Sequence, residues 1–279
     1  MKTTFLTLAA LLCFAANSLL GRAALGGGFS DAATYTAVRL ASGALTLFLV
    51  LSTGKVRESR PPQFDPLSAL ALFAYAAGFS FAYLRLTAGT GAVLLFGAVQ
   101  ATMIGWGLAS GEKWRPREAA GLLLALGGVG LMTFPGITAP DPWGAGLMVL
   151  AGVAWGAYSL RGRSAGGPIH RTAFNFYGSL PLAAVLFLAC RGKIHATAEG
   201  LALAALSGAL ASGAGYCFWY AALPRLTAFR AAVVQLATPL LAALGGILLL
   251  GEPAGWRVFT SGAAIAAGVL LAVSRPKAK

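Results

Sequence analysis

The sequence predicts an all-α polytopic membrane protein with ten transmembrane helices in two inverted five-helix repeats and both termini in the cytoplasm. Three observations lead to this fold class. Hydrophobic residues make up 58% of the 279 residues and charged residues only 10%. Short segments recur at half the length of the chain, and the basic residues are distributed unequally between alternate loops.

The composition separates this chain from soluble proteins. Its mean hydropathy is +0.76, whereas a soluble domain carries about a quarter of its residues as charged side chains. Apolar stretches near the ~20 residues that span a bilayer recur along the whole chain. They lack the period-2 alternation of barrel strands. A net charge of +13 would suggest nucleic acid in a soluble protein, but basic residues of membrane proteins typically lie in cytoplasmic loops. We therefore expect a lipid bilayer and no nucleic acid as partner.

The apolar blocks between charged, glycine and proline residues predict the ten helices. In the first half they cover residues 3–25, 31–53, 67–86, 89–109 and 117–135. In the second half they cover residues 143–161, 171–190, 200–222, 227–250 and 255–273. The first block resembles a signal peptide, but its segment Ser18-Leu19-Leu20-Gly21-Arg22 matches Ser159-Leu160-Arg161-Gly162-Arg163, 141 residues later. It therefore belongs to an internal repeat and is predicted to be retained. The connections are short, so a single membrane domain over residues 1–279 is expected.

An internal duplication divides this domain. Arg85-Leu86-Thr87-Ala88 recurs 140 residues later as Arg225-Leu226-Thr227-Ala228, and Gly111-Glu112 recurs at the same displacement as Gly251-Glu252. We therefore predict a first repeat over residues 1–139 and a second over residues 140–279.

The distribution of basic residues predicts the orientation. Of the 21 lysines and arginines, five lie in predicted outer loops, Arg39 lies within a helix, and the other 15 lie on the inner side. The five outer residues are Arg22, Arg85, Arg191, Lys193 and Arg257. An excess of positive charge marks the cytoplasmic side. The first Arg-Leu-Thr-Ala segment is then outside and its copy inside, so the halves are inverted, as in many alternating-access transporters.

The ionisable residues argue against several kinds of chemistry. All eight acidic residues and both histidines fall in loops or at helix ends, whereas ion-coupled carriers usually keep an ionisable group near the midplane. The three cysteines have no metal-ligand spacing, and the sequence contains no phosphate-binding G-x-x-x-x-G-K-[ST]. We therefore predict no enzyme activity, no metal and no cofactor. The expected mode of transport is facilitated diffusion down the substrate gradient, or coupling too indirect to be read from the sequence.

Aromatic residues are the first candidates for a substrate site. Tyr75, Phe79 and Tyr83 are spaced four residues apart and form one helix face. Trp155 and Tyr158 on the sixth helix and Trp219 on the eighth supply further rings, and Trp155 and Trp219 are the repeat equivalents of Phe14 and Phe79. Such residues also pack helices or lie at membrane interfaces. Their occurrence on equivalent helices of both halves favours a shared central cavity.

Four polar residues inside predicted helices are the second set of candidates. They are Asn17, Arg39, Gln100 and Gln235. A buried amide needs a hydrogen bond in lipid, which a neighbouring helix or a substrate can supply. Arg39 lies eight residues into the second helix, about 12 Å deep at 1.5 Å per residue. It either attracts a substrate carboxylate or packs against helix-end carbonyls.

Pro239 is predicted to kink the ninth helix, because proline removes a hydrogen bond of the helix interior. Its repeat equivalent is Val99, so the fourth helix should bend differently. We expect Pro239 to contribute to gating.

Several of these segments resemble the drug/metabolite transporter superfamily, in particular its ten-helix EamA-type branch. The resemblance rests on the run from Thr238-Pro239 to Gly251-Glu252, followed by Gly262 and Gly268-Val-Leu-Leu. A weaker first copy runs from Trp106 to Gly111-Glu112, followed by Gly121 and Gly128-Val-Gly-Leu. Val99 stands where the family commonly has proline.

The resemblance implies a carrier whose cavity is walled by helices 1 to 4 and 6 to 9, with helices 5 and 10 peripheral. It implies export of small metabolites across a bacterial inner membrane, and the chain looks similar to bacterial exporters of aromatic and other neutral amino acids. Carriers of sugars, nucleosides or drugs share the fold, and a non-transporting scaffold or membrane enzyme is a further alternative. The expected partner is an amino acid-like small molecule, and a monomer is compatible with the sequence.

Overall fold

The computed structural model describes residues 2–54, 56, 58, 64–86, 88–134, 141–163, 167–250 and 255–273. Within these ranges the chain forms ten helices, which we number in chain order. They are Lys2–Gly21 extended by a π turn at Arg22–Gly26 (helix 1), Ala32–Ser52 (2), Pro66–Ala82 (3), Ala88–Ala109 (4), Pro116–Thr133 (5), Pro142–Gly162 (6), Pro168–Ala189 (7), Ala198–Arg225 (8), Ala228–Gln235 with Ala237–Leu250 (9), and Trp256–Val273 (10). Thr87 and the motif Gly251-Glu252 lie outside the described residues.

The predicted all-α membrane fold is confirmed. Eight of these helices are long and apolar enough to cross a membrane, and helix 3 is a shorter apolar helix. Helix 5 has 18 residues and carries Arg117 and Glu118 in its first turn, which lowers its hydropathy. Large apolar side chains such as Phe5, Leu123 and Leu248 are exposed on the outside of the bundle, as expected of a surface that faces lipid.

Acidic residues and prolines mark where the helices begin. The side chains of Asp31, Asp65 and Asp141 accept hydrogen bonds from the first free backbone N–H groups of helices 2, 3 and 6. Helices 3, 5, 6 and 7 each begin with a proline in the first turn, where the missing N–H costs nothing. The acidic residues predicted at helix ends therefore serve as caps at these three positions.

The two halves pack on each other in a reciprocal pattern. Helix 1 contacts helices 8 and 9, and its counterpart helix 6 contacts helices 3 and 4. Helix 2 contacts helices 7 and 8, and helix 7 contacts helices 2 and 3. The contacts are therefore unchanged when each helix is exchanged with its counterpart in the other half.

Helices 5 and 10 pack closely on each other through glycine. A Cβ atom added to Gly121 would lie 2.6 Å from the carbonyl oxygen of Gly268, and one added to Gly268 would lie 2.5 Å from the carbonyl oxygen of Gly121. A side chain at either position would push the backbones apart. Helix 5 is the main contact of helix 10.

Besides the π turn that ends helix 1, three other helices have irregular features. Helix 9 is interrupted at Leu236, three residues before Pro239, where the proline cannot donate to the preceding turn. Helix 8 widens into a π-helix over Ser207–Ala214. Helix 7 contains Pro181 within its length, a feature that the sequence analysis did not single out.

Candidate functional site

Aromatic side chains of helices 1, 3, 6 and 8 meet in the middle of the bundle. The Trp155 ring centroid lies 5.2 Å from that of Phe14, 4.8 Å from Tyr75 and 4.9 Å from Tyr216. Tyr158 lies beside Trp155, with its centroid 5.5 Å away. The structure therefore brings predicted site residues from both halves into one cluster, and Phe14 contacts the residue that is its own repeat equivalent.

The predicted stripe on helix 3 connects this cluster to a cavity. Tyr75 and Phe79 have ring centroids 5.8 Å apart, and Phe79 and Tyr83 have centroids 4.8 Å apart. Tyr75 belongs to the central cluster, while Phe79 and Tyr83 line the cavity. The stripe thus forms a continuous aromatic path from the cavity to the centre.

The cavity has a volume of about 430 Å³ and lies between helices 1, 3, 4, 5 and 9. Its wall is largely apolar, and Ser18, Thr133 and Thr238 add hydroxyl groups to it. It lies at the end of the bundle where helices 1, 3 and 5 finish, which we call the cavity end. Such dimensions and lining are typical of pockets for small molecules.

Three of the predicted site residues line this cavity, namely Phe79, Tyr83 and Pro239. The sequence analysis missed Arg22, Phe96 and Thr238, which also line it. Thr238 precedes the proline that was predicted to kink helix 9, and Arg22 is the basic residue at the end of helix 1. Their positions next to a helix kink and a helix end could have marked both as candidate cavity residues. Helix 5 contributes Met132 and Thr133, although the resemblance implied that this helix stays outside the cavity.

Arg39 lies fully inside the bundle, with 1% of its surface exposed. Its Nε donates a hydrogen bond to the Ser212 hydroxyl (3.0 Å) and its Nη2 donates to the Tyr216 hydroxyl (2.7 Å). The guanidinium carbon lies 5.3 Å from the centroid of the Tyr75 ring. Arg39 therefore faces the edge of the aromatic cluster from helix 2.

Asn17 belongs to a second polar contact with the π segment of helix 8. The Ser207 hydroxyl donates to Asn17 Oδ1 (2.6 Å) and accepts a hydrogen bond from the Tyr35 hydroxyl (2.9 Å). Helices 1, 2 and 8 are thus joined by three buried side chains. Asn17 lies outside the wall of the cavity in this structure.

The two predicted glutamines bind neighbouring helices. Gln235 Oε1 accepts a hydrogen bond from Trp155 Nε1 (2.6 Å), while its amide nitrogen donates to the Ala231 carbonyl (2.9 Å). Gln100 Nε2 donates to the carbonyl of Ala232 on helix 9 (3.0 Å). Gln100 Oε1 is buried and has no hydrogen-bond partner among the described residues. The amides therefore hold helices 4, 6 and 9 together at the level of the cluster.

Trp219 is held on the side of the cluster away from the cavity. Its Nε1 donates to the Ser159 hydroxyl (3.0 Å), and its ring centroid lies 5.6 Å from that of Phe14. Tyr220, one residue later, donates to the backbone carbonyl of Tyr158 (3.1 Å). These contacts fasten helix 8 to helix 6.

The opposite end of the bundle, where helices 3, 5, 7 and 9 begin, carries a set of ion pairs; we call it the ion-paired end. Arg161 pairs with Asp65, Arg163 with Glu112 and Arg230 with Glu118, and His170 Nδ1 lies 2.6 Å from Glu58 Oε2. Glu112 also accepts hydrogen bonds from the backbone nitrogens of Ala228 (2.9 Å) and Phe229 (3.2 Å). Among the described residues, salt bridges between the two halves are therefore more numerous here than at the cavity end, where Arg85 pairs with Asp141.

Among the described acidic residues at this end, Asp65 is the one whose two carboxylate oxygens both accept hydrogen bonds from an arginine. Arg161 Nε and Nη2 donate to its two carboxylate oxygens at 2.7 and 2.8 Å. Partial burial by itself would raise the pKa of Asp65, but hydrogen bonds from Arg161 and Ser68 outweigh it and lower that pKa to about 2. The pair is therefore ionised throughout the physiological range.

An open depression of about 570 Å³ lies at the ion-paired end. Arg161, Arg163 and Arg171 line it together with Asp65 and Trp106. It is more open and more polar than the cavity at the other end. The two spaces lie at opposite ends of the bundle, and the aromatic cluster lies between those ends.

Comparisons with known proteins agree with this architecture. The profile of the EamA-like transporter family matches residues 142–274. An uncharacterized protein of Pseudomonas aeruginosa, PA1977, is 50% identical over 270 residues, which cover 97% of this chain and 94% of that protein. A solved crystal structure of a protein is similar in fold, with a TM-score of 0.76 and 19% identity over 95% of this chain and 96% of that one. This chain therefore belongs to the EamA-like transporter family.

Proposed function

We propose that the protein exports small neutral metabolites, specifically amino acids including aromatic and hydrophobic ones, across a bacterial inner membrane. The observation that carries this proposal is the cavity of about 430 Å³, which is walled by aromatic and apolar side chains with a few hydroxyl groups. Aromatic walls bind apolar side chains, and hydroxyl groups bind the polar ends of such solutes. The protein moves its substrate without transforming it and needs no cofactor.

Transport is proposed to occur by rocking of two inverted halves. The reciprocal packing of helices 1 and 6, and of helices 2 and 7, supports this arrangement. The contact between Phe14 and its predicted repeat equivalent Trp155 supports this arrangement, because equivalent residues meet each other near a twofold axis. Alternation between the two halves would then open the centre to each side in turn.

The charge distribution of the loops assigns the ion-paired end to the cytoplasm. With this orientation, we propose that ion pairs hold the inner side and that the cavity is directed outward. Export requires the reverse state, in which Arg161 separates from Asp65 and Arg163 from Glu112. The depression at this end supplies the entrance.

The test is counterflow in proteoliposomes preloaded with unlabelled phenylalanine, leucine, a nucleoside or a hexose. Labelled phenylalanine and leucine should accumulate transiently, whereas labelled nucleoside and hexose should not. Accumulation of hexose or nucleoside alone would assign the carrier to another substrate class. An absence of flux for every solute would overturn the transport proposal. Uphill accumulation driven only by a pH gradient would contradict facilitated diffusion.

A further inference from the structure

The guanidinium of Arg39 is a buried positive charge whose contacts are all neutral. Its hydrogen-bond partners are the hydroxyl groups of Ser212 and Tyr216, and its third neighbour is the Tyr75 ring. Within the described ranges, the ion pairs involve other basic residues and none includes Arg39. A charge at this depth is costly and persists where a pathway or a ligand needs it.

One nitrogen of this guanidinium remains available. Nη1 is buried and has no hydrogen-bond partner among the described residues. Ser212 and Tyr216 meanwhile fix Nε and Nη2, so the orientation of the planar group is set before any ligand arrives. A buried donor without a partner costs free energy that an incoming acceptor would recover. A charge-assisted hydrogen bond from a guanidinium nitrogen to a carboxylate oxygen is about twice as strong as one between neutral groups.

Helix 8 has π-helical instead of α-helical geometry where it faces Arg39. Its π segment, Ser207–Ala214, contains Ser212, and a Cβ atom on Gly208 would collide with the backbone carbonyl of Arg39. π segments are rare and occur frequently at functional sites. The widened turn brings the serine hydroxyl to the guanidinium while Gly208 lets the two helices approach. This geometry is independent evidence of a built site.

The path from the cavity to Arg39 passes along aromatic rings. Phe79 lines the cavity, Tyr75 lies 5.8 Å from Phe79, and the guanidinium carbon of Arg39 lies 5.3 Å from the Tyr75 ring. The Trp155 ring packs on the same tyrosine, with its centroid 4.8 Å from that of Tyr75. A solute entering from the cavity would therefore meet Arg22 and aromatic faces first and the buried charge of Arg39 last.

We infer that Arg39 anchors the carboxylate of the transported solute at the centre of the bundle, an inference that rests on the proposed transport function. The substrates are then monocarboxylates with an apolar body, to which neutral amino acids belong. Cationic amines that lack a carboxylate are excluded, because the buried guanidinium repels them. The amino group contributes less to selection than the carboxylate does.

Binding to the purified, detergent-solubilised full chain tests this inference separately from flux. Calorimetric titration compares phenylalanine, 3-phenylpropionate and phenylalaninamide, which differ in the amino group or the carboxylate. Phenylalanine and 3-phenylpropionate, which carry a carboxylate, should each bind at least about ten times more tightly than phenylalaninamide, as expected for a charge-assisted contact. Equal affinities, or a lack of binding by either carboxylate, would overturn the inference.

Variants of two arginines then test whether the preference for carboxylates depends on Arg39. In the Arg39→Gln variant, the preference for the carboxylates over phenylalaninamide should disappear. The Arg39→Lys variant should keep a reduced preference, because a single ammonium group replaces the planar guanidinium. Arg257→Gln removes an arginine at the start of helix 10 and should leave the preference unchanged. A full preference in a folded Arg39→Gln protein would contradict the assignment. If Arg39→Gln does not fold, the wild-type selectivity and the Arg39→Lys result still decide.

The two proposals fail in different ways. One result would be that the wild-type protein carries phenylalanine in counterflow while phenylalaninamide inhibits this flux as strongly as 3-phenylpropionate does. That result would overturn the role of Arg39 and leave the transport proposal standing. Carboxylate-selective binding without counterflow would overturn transport and leave a binding site at Arg39.

Discussion

Glu112, which follows helix 4 in the first half of the chain, caps the start of helix 9 in the second half by accepting a hydrogen bond from the backbone nitrogen of Ala228 at 2.9 Å. The same carboxylate accepts hydrogen bonds from Phe229 N and from Arg163 Nη2. Anions are stabilised at helix N-termini, where free N–H groups and the helix dipole coincide. The Gly-Glu motif thus serves as a contact between the halves at this position.

Replacement of Glu112 by glutamine should destabilise the protein by about 1–3 kcal/mol, because an amide satisfies the helix N-terminus poorly and cannot pair with Arg163. Thermal unfolding in detergent measures the change. Glu199→Gln is the matched control, since Glu199 is exposed in the first turn of helix 8. Equal unfolding temperatures for the two variants would show that the cap is not significant.

The ion pair between Asp65 and Arg161 predicts a pH dependence of stability. The folded-state pKa of Asp65 is about 2, below the value of about 3.9 expected in an unfolded chain. The ionised Asp65 side chain therefore contributes fully to the free energy of unfolding at pH values above its pKa in the unfolded chain. This contribution is lost as the pH falls through its pKa in the folded protein.

Asp65→Asn keeps a capping side chain but removes the charge. We expect a loss of about 1 kcal/mol or less at pH 7, because the pair is partly exposed. The difference between variant and wild type should shrink between pH 4 and pH 2, as measured by unfolding at a series of pH values. A difference that stays constant to pH 2 would contradict the lowered pKa.

Filling the cavity should block transport. Ala92 lines the cavity on helix 4, and tryptophan at this position would occupy space that the proposed substrate needs. Because the indole ring would exclude the substrate from this volume, the apparent affinity should fall by about tenfold or more. Ala101→Trp is the control, because Ala101 lies on the same helix with its side chain exposed. Counterflow compares the two, and equal loss in both variants would argue against this cavity as the route.

The contact between helices 5 and 10 predicts a contrast between two glycines of one helix. A Cβ atom on Gly121 would lie 2.6 Å from the Gly268 carbonyl, whereas one on Gly127 would meet no atom within 4 Å. Gly121→Ala should therefore destabilise by about 1–3 kcal/mol. Gly127→Ala should be neutral or stabilising by up to about 1 kcal/mol, because alanine favours helix. Unfolding in detergent distinguishes these outcomes, and equal effects would contradict the close approach.

The helices themselves were predictable because helix formation in a membrane is local. Each backbone group must bond within its own segment, so apolar length and flanking prolines predict the boundaries within a few residues. The stripe of Tyr75, Phe79 and Tyr83 was predictable for the same reason, since four-residue spacing places side chains on one face. The π segment of helix 8 had no comparable signal, because its residues Ser207–Ala214 are apolar or small, as in many regular helices.

The partners of the candidate site residues were not predictable from spacing. Arg39 contacts Ser212 and Tyr216, which follow it by 173 and 177 residues, and Trp155 contacts Gln235 across 80 residues. The sequence also placed Asn17, Gln100 and Gln235 inside helices without indicating that each would bind a neighbouring helix. Such contacts depend on how helices rotate and cross, which the packing of all the side chains decides together.

The sequence by itself determined that this chain is a helical membrane protein of the EamA type, where its helices run and which few polar groups they bury. Those properties follow from local hydrophobicity and hydrogen bonding, which each segment carries alone. Only the tertiary structure decided that Phe79 and Tyr83 line a cavity, that Glu112 caps helix 9, and that Arg39 lies against neutral groups with one donor unused. These depend on long-range packing, in which each side chain's environment is supplied by distant parts of the chain.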